Sequence, residues 1–465
     1  MKRRNTARLV AALAAGALLV AACSSDSKST TTAANTQAPT TTAGGSPTTG
    51  GSNTTVPAET TTPAPAAWKV DTKDCTDETA ANAKITGTIK IGSVMPLTGG
   101  IAAAAFAPVK DGFQAYMDYA NSKGLLGDVK ITTDIEDDQY SKDLTPGAVS
   151  KLIDGGSNVV AGIIGTPDNL AVRQTLNDAC IPQLNALTGS PHWGEVADYP
   201  WTTGLLVPYD TESKVYASQL KELYPNGAKV AIFSVNSEFG TAYVDAFKAL
   251  ASQYNLTIVD EQTIEAEDAT PPASQITSIA SKKPDVIMAV PLGAGCVTFL
   301  SQLATAKAQN PGWTPATFIT NTCASSLILG AAGAAADGLY TSGNLIDIGS
   351  PANATVPNVK TYLDYMASIG KSDIATTAAA GWTTAEVTVA MLIQAQKSPD
   401  GLTRASIIDA ARNFTYTPML ARDGVVLKMN GTADPYLAES LQVLQYNATA
   451  KTFTDIGKLI TQFEH

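Results

Sequence analysis

Ile89-Lys90-Ile91-Gly92-Ser93-Val94 reads as a short strand, and Ala102–Lys123 after it sets Val109, Phe113, Tyr116, Met117 and Ala120 on one helical face. The pair then repeats. A strand at Val129–Ile135 precedes a helix over Leu144–Asp154, a strand at Val159–Ile164 precedes a helix from Asp168 to Asp178, and Ile181–Leu187 closes the series. After a connecting segment, Trp201–Pro208, the rhythm restarts with helix 210–223 and strand Lys229–Val235. Helix 240–253, strand Leu256–Ile264, helix 272–281, strand Asp285–Val290, helix 295–307 and strand Ala316–Thr320 follow. Alternation of this kind builds parallel sheets covered by helices on both faces. Two runs separated by a break predict an α/β fold of two doubly wound parallel-sheet lobes. Helices at 357–368, 377–397 and 403–412 then come almost in a row, followed by short strands near Gly424–Lys428 and Leu441–Tyr446. These late elements must return to cover lobes already begun.

The N-terminus says where the chain works. Lys2, Arg3, Arg4 and Arg8 precede an unbroken run of Leu, Val, Ala and Gly from Leu9 to Ala22, and small residues lead into Cys23. This is the layout of a secretory signal. As a helix the run spans ~21 Å, short of the ~20 residues that a bilayer core requires. Residues 1–22 therefore read as a signal peptide, and Val20-Ala21-Ala22-Cys23 resembles a bacterial lipobox, in which Cys23 becomes a lipidated N-terminus. Residues 24–67 are almost entirely Ser, Thr, Ala, Pro, Gly and Asn, so 23–67 is expected to be a lipid anchor followed by a disordered linker. Its ends would sit roughly 35–40 Å apart as a flexible coil. The expected location is the outer face of the cell membrane.

Composition narrows the function. The net charge is −11, and the removable prefix carries four positive charges and no acid, so the rest of the chain stands near −15. An acidic body without a basic cluster argues against nucleic acid as a partner, and against attachment to anionic lipid by charge. Of five cysteines, Cys75, Cys180, Cys296 and Cys323 remain once Cys23 is set aside. An even number in an exported protein suggests disulfides, with three pairings open and free thiols an alternative. No CxxC occurs and the chain has two histidines, His192 and His465, so no metal site or other cofactor is expected. Catalysis has no convincing constellation either. No G-x-S-x-G elbow, P-loop or dinucleotide fingerprint is present, and Gly293-Ala294-Gly295 reads as a strand-to-helix turn. Glu136-Asp137-Asp138 could serve acid/base chemistry in a surface hydrolase, but a cluster supporting a cleft is the better reading.

Gly92-Ser93-Val94-Met95-Pro96-Leu97-Thr98-Gly99-Gly100 resembles the first strand and loop of type I periplasmic binding proteins of the branched-chain amino-acid (leucine-binding) branch. The helix through Gly112 to Lys123-Gly124, the acidic strand end Glu136-Asp137-Asp138, Gly162-Ile163-Ile164-Gly165-Thr166 and Ile181-Pro182 are similar to that family in order and spacing. Phe233-Ser234-Val235-Asn236-Ser237-Glu238-Phe239-Gly240 resembles its second-lobe entry, and Asp337-Gly338-Leu339-Tyr340 its return crossing. The resemblance covers nearly all of 86–460. It implies three crossings between lobes, near 204–208, 340–345 and 435–440. The implied lobes are 86–205 plus 345–436 and 206–342 plus 437–465. It also implies disulfides Cys296–Cys323, whose residues would share one sheet end, and Cys75–Cys180; a Cα span of ~4.4–6.8 Å is required.

By the same resemblance a ligand sits between the lobes, outside the carboxyl ends of the strands, where open α/β sheets bind small molecules. Those ends place Thr98, Gly99, Thr166, Pro167, Ala186, Thr188, Phe239, Leu292, Asn321 and Thr322 as candidate ligand contacts. Each threonine is also a natural cap or turn residue, Asp168 after Pro167 reads as an N-cap, and Phe239 could pack between lobes. Two departures bear on specificity. Asn321-Thr322 stands where amino-acid binders hold the ligand ammonium with an acid, and Ala104 or Ala105, beside Phe106, stands where an aromatic is expected. The ligand set is thus a branched-chain amino acid, a neutral amide or an aromatic acid. The implied function is a monomeric, lipid-anchored solute-binding protein serving the permease and ATPase of an ATP-binding-cassette importer. A surface sensor using the same clamp is the alternative.

Overall fold

The computed structural model describes residues 67–265 and 270–463; the signal, Cys23, the linker and His465 lie outside them, apart from Ala67. After a short helix, α1 (Glu78–Asn82), strand β1 (Thr88–Met95) alternates exposed and buried residues at its start and is buried on both faces from Ile91 onward. Burial on both faces is the signature of a parallel strand between helical layers. The chain continues through α2 (Gly100–Lys123), β2 (Lys130–Asp137), α3 (Thr145–Asp154), β3 (Val159–Ala161), α4 (Thr166–Asp178), β4 (Gln183–Ala186) and β5 (Thr202–Gly204). The five strands form a parallel sheet in the order β2-β1-β3-β4-β5. Ile181–Leu187 therefore does not close the series, as its sequence suggested. Thr202-Thr203-Gly204 adds a fifth strand in the segment read as a connection, with no apolar alternation to announce it; the Arg412 guanidinium holds the Thr202 carbonyl.

The second run is α5 (Tyr209–Leu223), β6 (Ala228–Val235), α6 (Glu238–Ala251), β7 (Leu256–Ile264), α7 (Ala273–Lys282), β8 (Val286–Val290), α8 (Gly295–Gln309), β9 (Ala316–Ile319), α9 (Ser326–Ala332) and β10 (Tyr340–Gly343). Then come α10 (Pro357–Ser368), α11 (Ala375–Ala395), α12 (Arg404–Arg412), β11 (Asn413–Tyr416), β12 (Leu427–Asn430), β13 (Leu441–Asn447) and β14 (Thr452–Ile460). The second sheet runs β14-β13-β10-β9-β8-β6-β7, parallel from β7 to β10 and antiparallel at β13 and β14. The strand expected at Gly424–Lys428 lies instead at Leu427–Asn430. It pairs with β11 in a separate two-stranded antiparallel sheet. Strand β14 carries no strict alternation and forms a largely exposed edge, which is why its sequence did not stand out. In both sheets strand order reverses beside the first strand of the run, between β1 and β3 and between β6 and β8, and such reversals open a crevice at the strand carboxyl ends.

Helix α11 brings the late part of the chain back onto the first run. It lies along α2, and the two backbones nearly touch: a Cβ on Gly112 would come 1.9 Å from the Ala378 carbonyl oxygen, and one on Gly381 would come 1.8 Å from that of Val109. Trp382 fills the next turn and packs against the rings of Tyr116, Tyr119, Tyr362 and Tyr365 at 4.9–5.5 Å. No helix among the described residues is long and apolar enough to cross a membrane.

Both disulfides form as the resemblance implied: Cys75–Cys180 with a Cα separation of 5.4 Å, and Cys296–Cys323 at 5.9 Å. The first ties the segment before β1 to the end of α4, and the second joins the start of α8 to the end of β9.

Two outcomes follow from this packing. Because the bridges close loops of 105 and 27 residues, chain-entropy estimates give about 4.8 and about 3.5 kcal/mol. Cys180→Ala should therefore lower the urea midpoint more than Cys296→Ala does, and equal effects would contradict the loop-length account. Gly381→Ala should cost about 1–3 kcal/mol by forcing two packed helices apart. Thermal unfolding checks it against Gly147→Ala in α3, whose added methyl meets no neighbour within 4 Å.

Candidate ligand-binding site

A cavity of about 280 Å³ lies where the carboxyl ends of both sheets meet the connecting segments. From the first run it is lined by Ala105, Phe106 and Val109 of α2, Tyr140 after β2, and Ile164, Gly165 and Thr166 at the start of α4. From the second run come Phe239, Leu292, Asn321, Thr322 and Ile328. The segments joining the sheets add Leu206, Tyr209 and Ser342 to Ile348, and Thr376, Thr377, Leu420, Arg422, Leu444 and Phe453 complete it. The lining is mainly apolar. Among the described residues its charged members are Asp347 and Arg422.

Of the candidate contacts read from the sequence, Thr166, Phe239, Leu292, Asn321 and Thr322 line this cavity. Thr188 stands one layer behind, its hydroxyl 2.5 Å from that of Thr166 and receiving the Tyr209 hydroxyl at 3.1 Å. Ala186 is buried within β4, and Pro167 follows Thr166 in the first turn of α4; neither reaches the cavity. Thr98 and Gly99 also lie off the lining, where the Thr98 hydroxyl and the Leu97 and Thr98 amides bind the Asp137 carboxylate. Phe106 takes the aromatic place beside Ala105 and stacks on Tyr140, ring centres 6.1 Å apart.

Two buried networks shape the walls. On the second run, the fully buried Glu212 of α5 accepts the Asn321 amide at 2.8 Å and the Tyr243 hydroxyl. Tyr243 also accepts the Thr320 hydroxyl at 2.9 Å, so one carboxylate fixes the turn that carries Asn321 and Thr322. Burial raises the Glu212 pKa, and the hydroxyl and amide donors oppose that rise. Tyr209 links this network to the first run: its ring stacks on Tyr243 at 4.4 Å and meets Phe239 at 5.2 Å, while its hydroxyl reaches Thr188. Tyr209 went unnoticed in the sequence because its partners lie on separate segments. The available signal was its place just after an expected crossing.

The second network lies beneath Gly165 and Tyr140. Asp168 is not the N-cap that Pro167-Asp168 suggested: α4 begins at Thr166, its cap is Gly165 at φ +103°, and Asp168 is buried in the first turn. The Thr145 hydroxyl is 3.0 Å from Asp138 and 3.2 Å from Asp168. It has one proton, so it cannot donate to both carboxylates at once. Asp138 also accepts the Tyr140 amide at 3.1 Å, whereas Asp168 Oδ2 is buried with no hydrogen-bond partner. Burial and the nearby Asp138 charge push the Asp168 carboxyl up to about 8, and burial raises Asp138 as well. The neighbouring acids are occupied: Glu136 pairs with Lys151 at 2.8 Å, and Asp137 caps the Leu97 turn.

A second, more open hollow of about 680 Å³ is lined by Lys142, Ser190, His192, Asp210, Ser237, Glu238 and Asp245, among others. Lys142, after β2, pairs with Glu238 at the start of α6 across 3.5 Å, and His192 is engaged by Glu195 at 2.6 Å. Both partners of the Lys142–Glu238 pair are exposed, so it adds little stability.

The fold with its inter-sheet cavity matches known proteins. A family profile described as periplasmic binding protein matches residues 88–447. The chain belongs to the periplasmic binding protein family. It is a solute-binding protein by that membership. Among curated proteins it is similar to the Leu/Ile/Val-binding protein BraC3 of Rhizobium johnstonii, with 26% identity over 201 residues, 43% of this chain. The match spans about half of that relative's own length, 53%. Among solved structures it resembles a branched-chain amino acid ABC transporter protein from Thermus thermophilus with bound valine, at TM-score 0.71 and 18% identity, covering 81% of this chain and 97% of that one. A fatty acid ABC transporter substrate-binding protein from Thermomonospora curvata follows at TM-score 0.68 and 18% identity, covering 81% and 94%.

The Asp138–Asp168 pair makes this periplasmic binding protein pH-sensitive. An unfolded aspartate titrates near 3.9, so between about pH 4 and 8 the folded chain holds a proton that the unfolded chain releases. Stability contributed by this site must fall as pH rises through that window. Asp168→Asn removes the titration and keeps a donor for Thr145. It should match the parent near pH 4 and exceed it progressively as pH rises to 8, by up to about 5 kcal/mol. Urea unfolding at several pH values measures this, and parallel profiles for the two proteins would refute it.

Proposed function

We propose that this protein is an extracytoplasmic solute receptor, lipid-anchored at Cys23 through the 23–67 linker, that delivers a small organic ligand to an ATP-binding-cassette importer. The observation that carries this reading is a mainly apolar cavity at the strand carboxyl ends, walled by both sheets and by the segments that join them. Its volume, about 280 Å³, sits at the lower edge of small-molecule sites, ~300–1,000 Å³. That size favours a ligand of amino-acid dimensions over a long chain. The Thermus thermophilus neighbour holds valine, and the Rhizobium johnstonii relative is a Leu/Ile/Val binder by name; both support a branched-chain amino acid, and a Rhodopseudomonas palustris neighbour in complex with 3,4-dihydroxy benzoic acid supports an aromatic acid as the alternative.

Capture works by closure. Lobe 86–205 plus 345–436 and lobe 206–342 plus 437–465 move about the joining segments, and ligand contacts both lobes only when they are shut. The ligand thereby shifts the population toward the closed form by the difference in its affinity for the two states. A thermal-shift screen of the 68–465 body against branched-chain amino acids, amides, aromatic acids and a long-chain fatty acid tests the reading. A binder at 100 times its dissociation constant should stabilise by ~2.7 kcal/mol. Solution scattering on the best binder should show contraction. Turnover of a bound compound, or no stabilisation by any class, would sink the receptor reading.

A further inference from the structure

We infer that Arg422 and Asp347, on the segments joining the two sheets, hold the charged groups of the ligand's polar head. The inference rests on the receptor reading above and assigns the specificity determinants of the same cavity. Both side chains line a wall that is otherwise uncharged among the described residues. The two segments are hooked together: the Ile346 amide donates to the Leu420 carbonyl and the Arg422 amide to that of Asn344, each at 2.9 Å. A bridge joins Leu345 and Ala421.

Each charged group is held by one edge and left open at another. Arg422 gives Nη1 to Asp455 at 2.7 Å, yet its Nε is buried with no partner. Asp347 takes the Gly349 amide on Oδ1 at 3.0 Å and is also held by the Ser326 hydroxyl, while its Oδ2 is buried with no hydrogen-bond partner. Arg422 pairs outward with Asp455, and its charge also favours the ionised form of Asp347. One unmet N–H donor of a cation and one unmet oxygen acceptor of an anion, in one apolar cavity, form a complementary pair. A buried polar group without a partner is costly, so a ligand that supplies both bonds is favoured over one that supplies either. The chemistry that fits is an ammonium beside a carboxylate on an apolar body. The carboxylate would bind Arg422, the ammonium would bind Asp347, and the body would lie along Phe106, Val109, Ile164 and Leu292. Asp347 then supplies the carboxylate that Asn321-Thr322 lacks.

Titration calorimetry on the wild-type protein with leucine, 4-methylpentanoate and 3-methylbutylamine tests this without any variant. Leucine should bind at least tenfold more tightly than either truncated probe. Arg422→Gln should weaken both leucine and 4-methylpentanoate by tenfold or more. Asp347→Asn should weaken leucine by a similar factor and leave 4-methylpentanoate equal or tighter, because a repelling charge is gone. Thr98→Ala, off the lining, should change none of these values. If 4-methylpentanoate or 3-methylbutylamine binds as tightly as leucine, or both variants keep leucine within twofold, the clamp is refuted while the receptor reading stands. If none of the three probes binds and the broader screen also yields nothing, the receptor reading falls and the clamp with it.

Discussion

Gly112 and Gly381 allow α2 and α11 to cross with their backbones in contact, and much of the molecule follows from that contact. A helix encoded after the second sheet's parallel strands can pack this closely on a helix of the first run only if the chain has travelled back. It must then leave again to supply β13 and β14 to the second sheet. Two outward passages and one return make three covalent links between the sheets. Those links, at Leu206 to Tyr209, Ser342 to Ile348 and the stretch before Leu441, lie beside the crevice that the two strand-order reversals open. The cavity is therefore a consequence of connectivity. Its walls come from sheet ends and its third side from the links themselves.

Buried ionisable groups are concentrated around that cavity, and each has a different physical arrangement. Glu212 is stabilised as an acceptor of hydroxyl and amide donors and so fixes the Asn321 turn. Asp138 and Asp168 share one hydroxyl donor and are kept apart in charge by a retained proton. Far from the cavity, the fully buried Arg412 has carbonyl partners around Tyr199 to Thr202 and the Trp68 ring at 5.8 Å. Burial lowers its pKa to about 9. A cation satisfied by fixed dipoles can hold together a poorly patterned strand such as β5, because the strand's own side chains contribute little packing.

The alternation of strand and helix was legible from Ile89 to Thr320 because parallel strands bury both faces and leave unmistakable apolar runs. Edge and link strands were not. Thr202–Gly204 and Thr452–Ile460 are short or exposed, and their pairing is set by neighbours far away in the chain. The cavity shows the same division. Thr166, Phe239, Leu292, Asn321 and Thr322 follow strands whose ends could be placed by periodicity. Tyr209, Asp347 and Arg422 sit on links and loops, where no periodic pattern points at a crevice.

Sequence by itself determined the fold class, the cysteine count and the strand ends that could face a ligand. These are local properties: apolar spacing, glycine turns and charge order act over a few residues. Tertiary structure alone decided which threonines face inward, that an arginine and an aspartate share the cavity, and that two buried acids share one hydroxyl donor. Those facts depend on distances between segments up to several hundred residues apart, which are fixed only when helices and sheets pack.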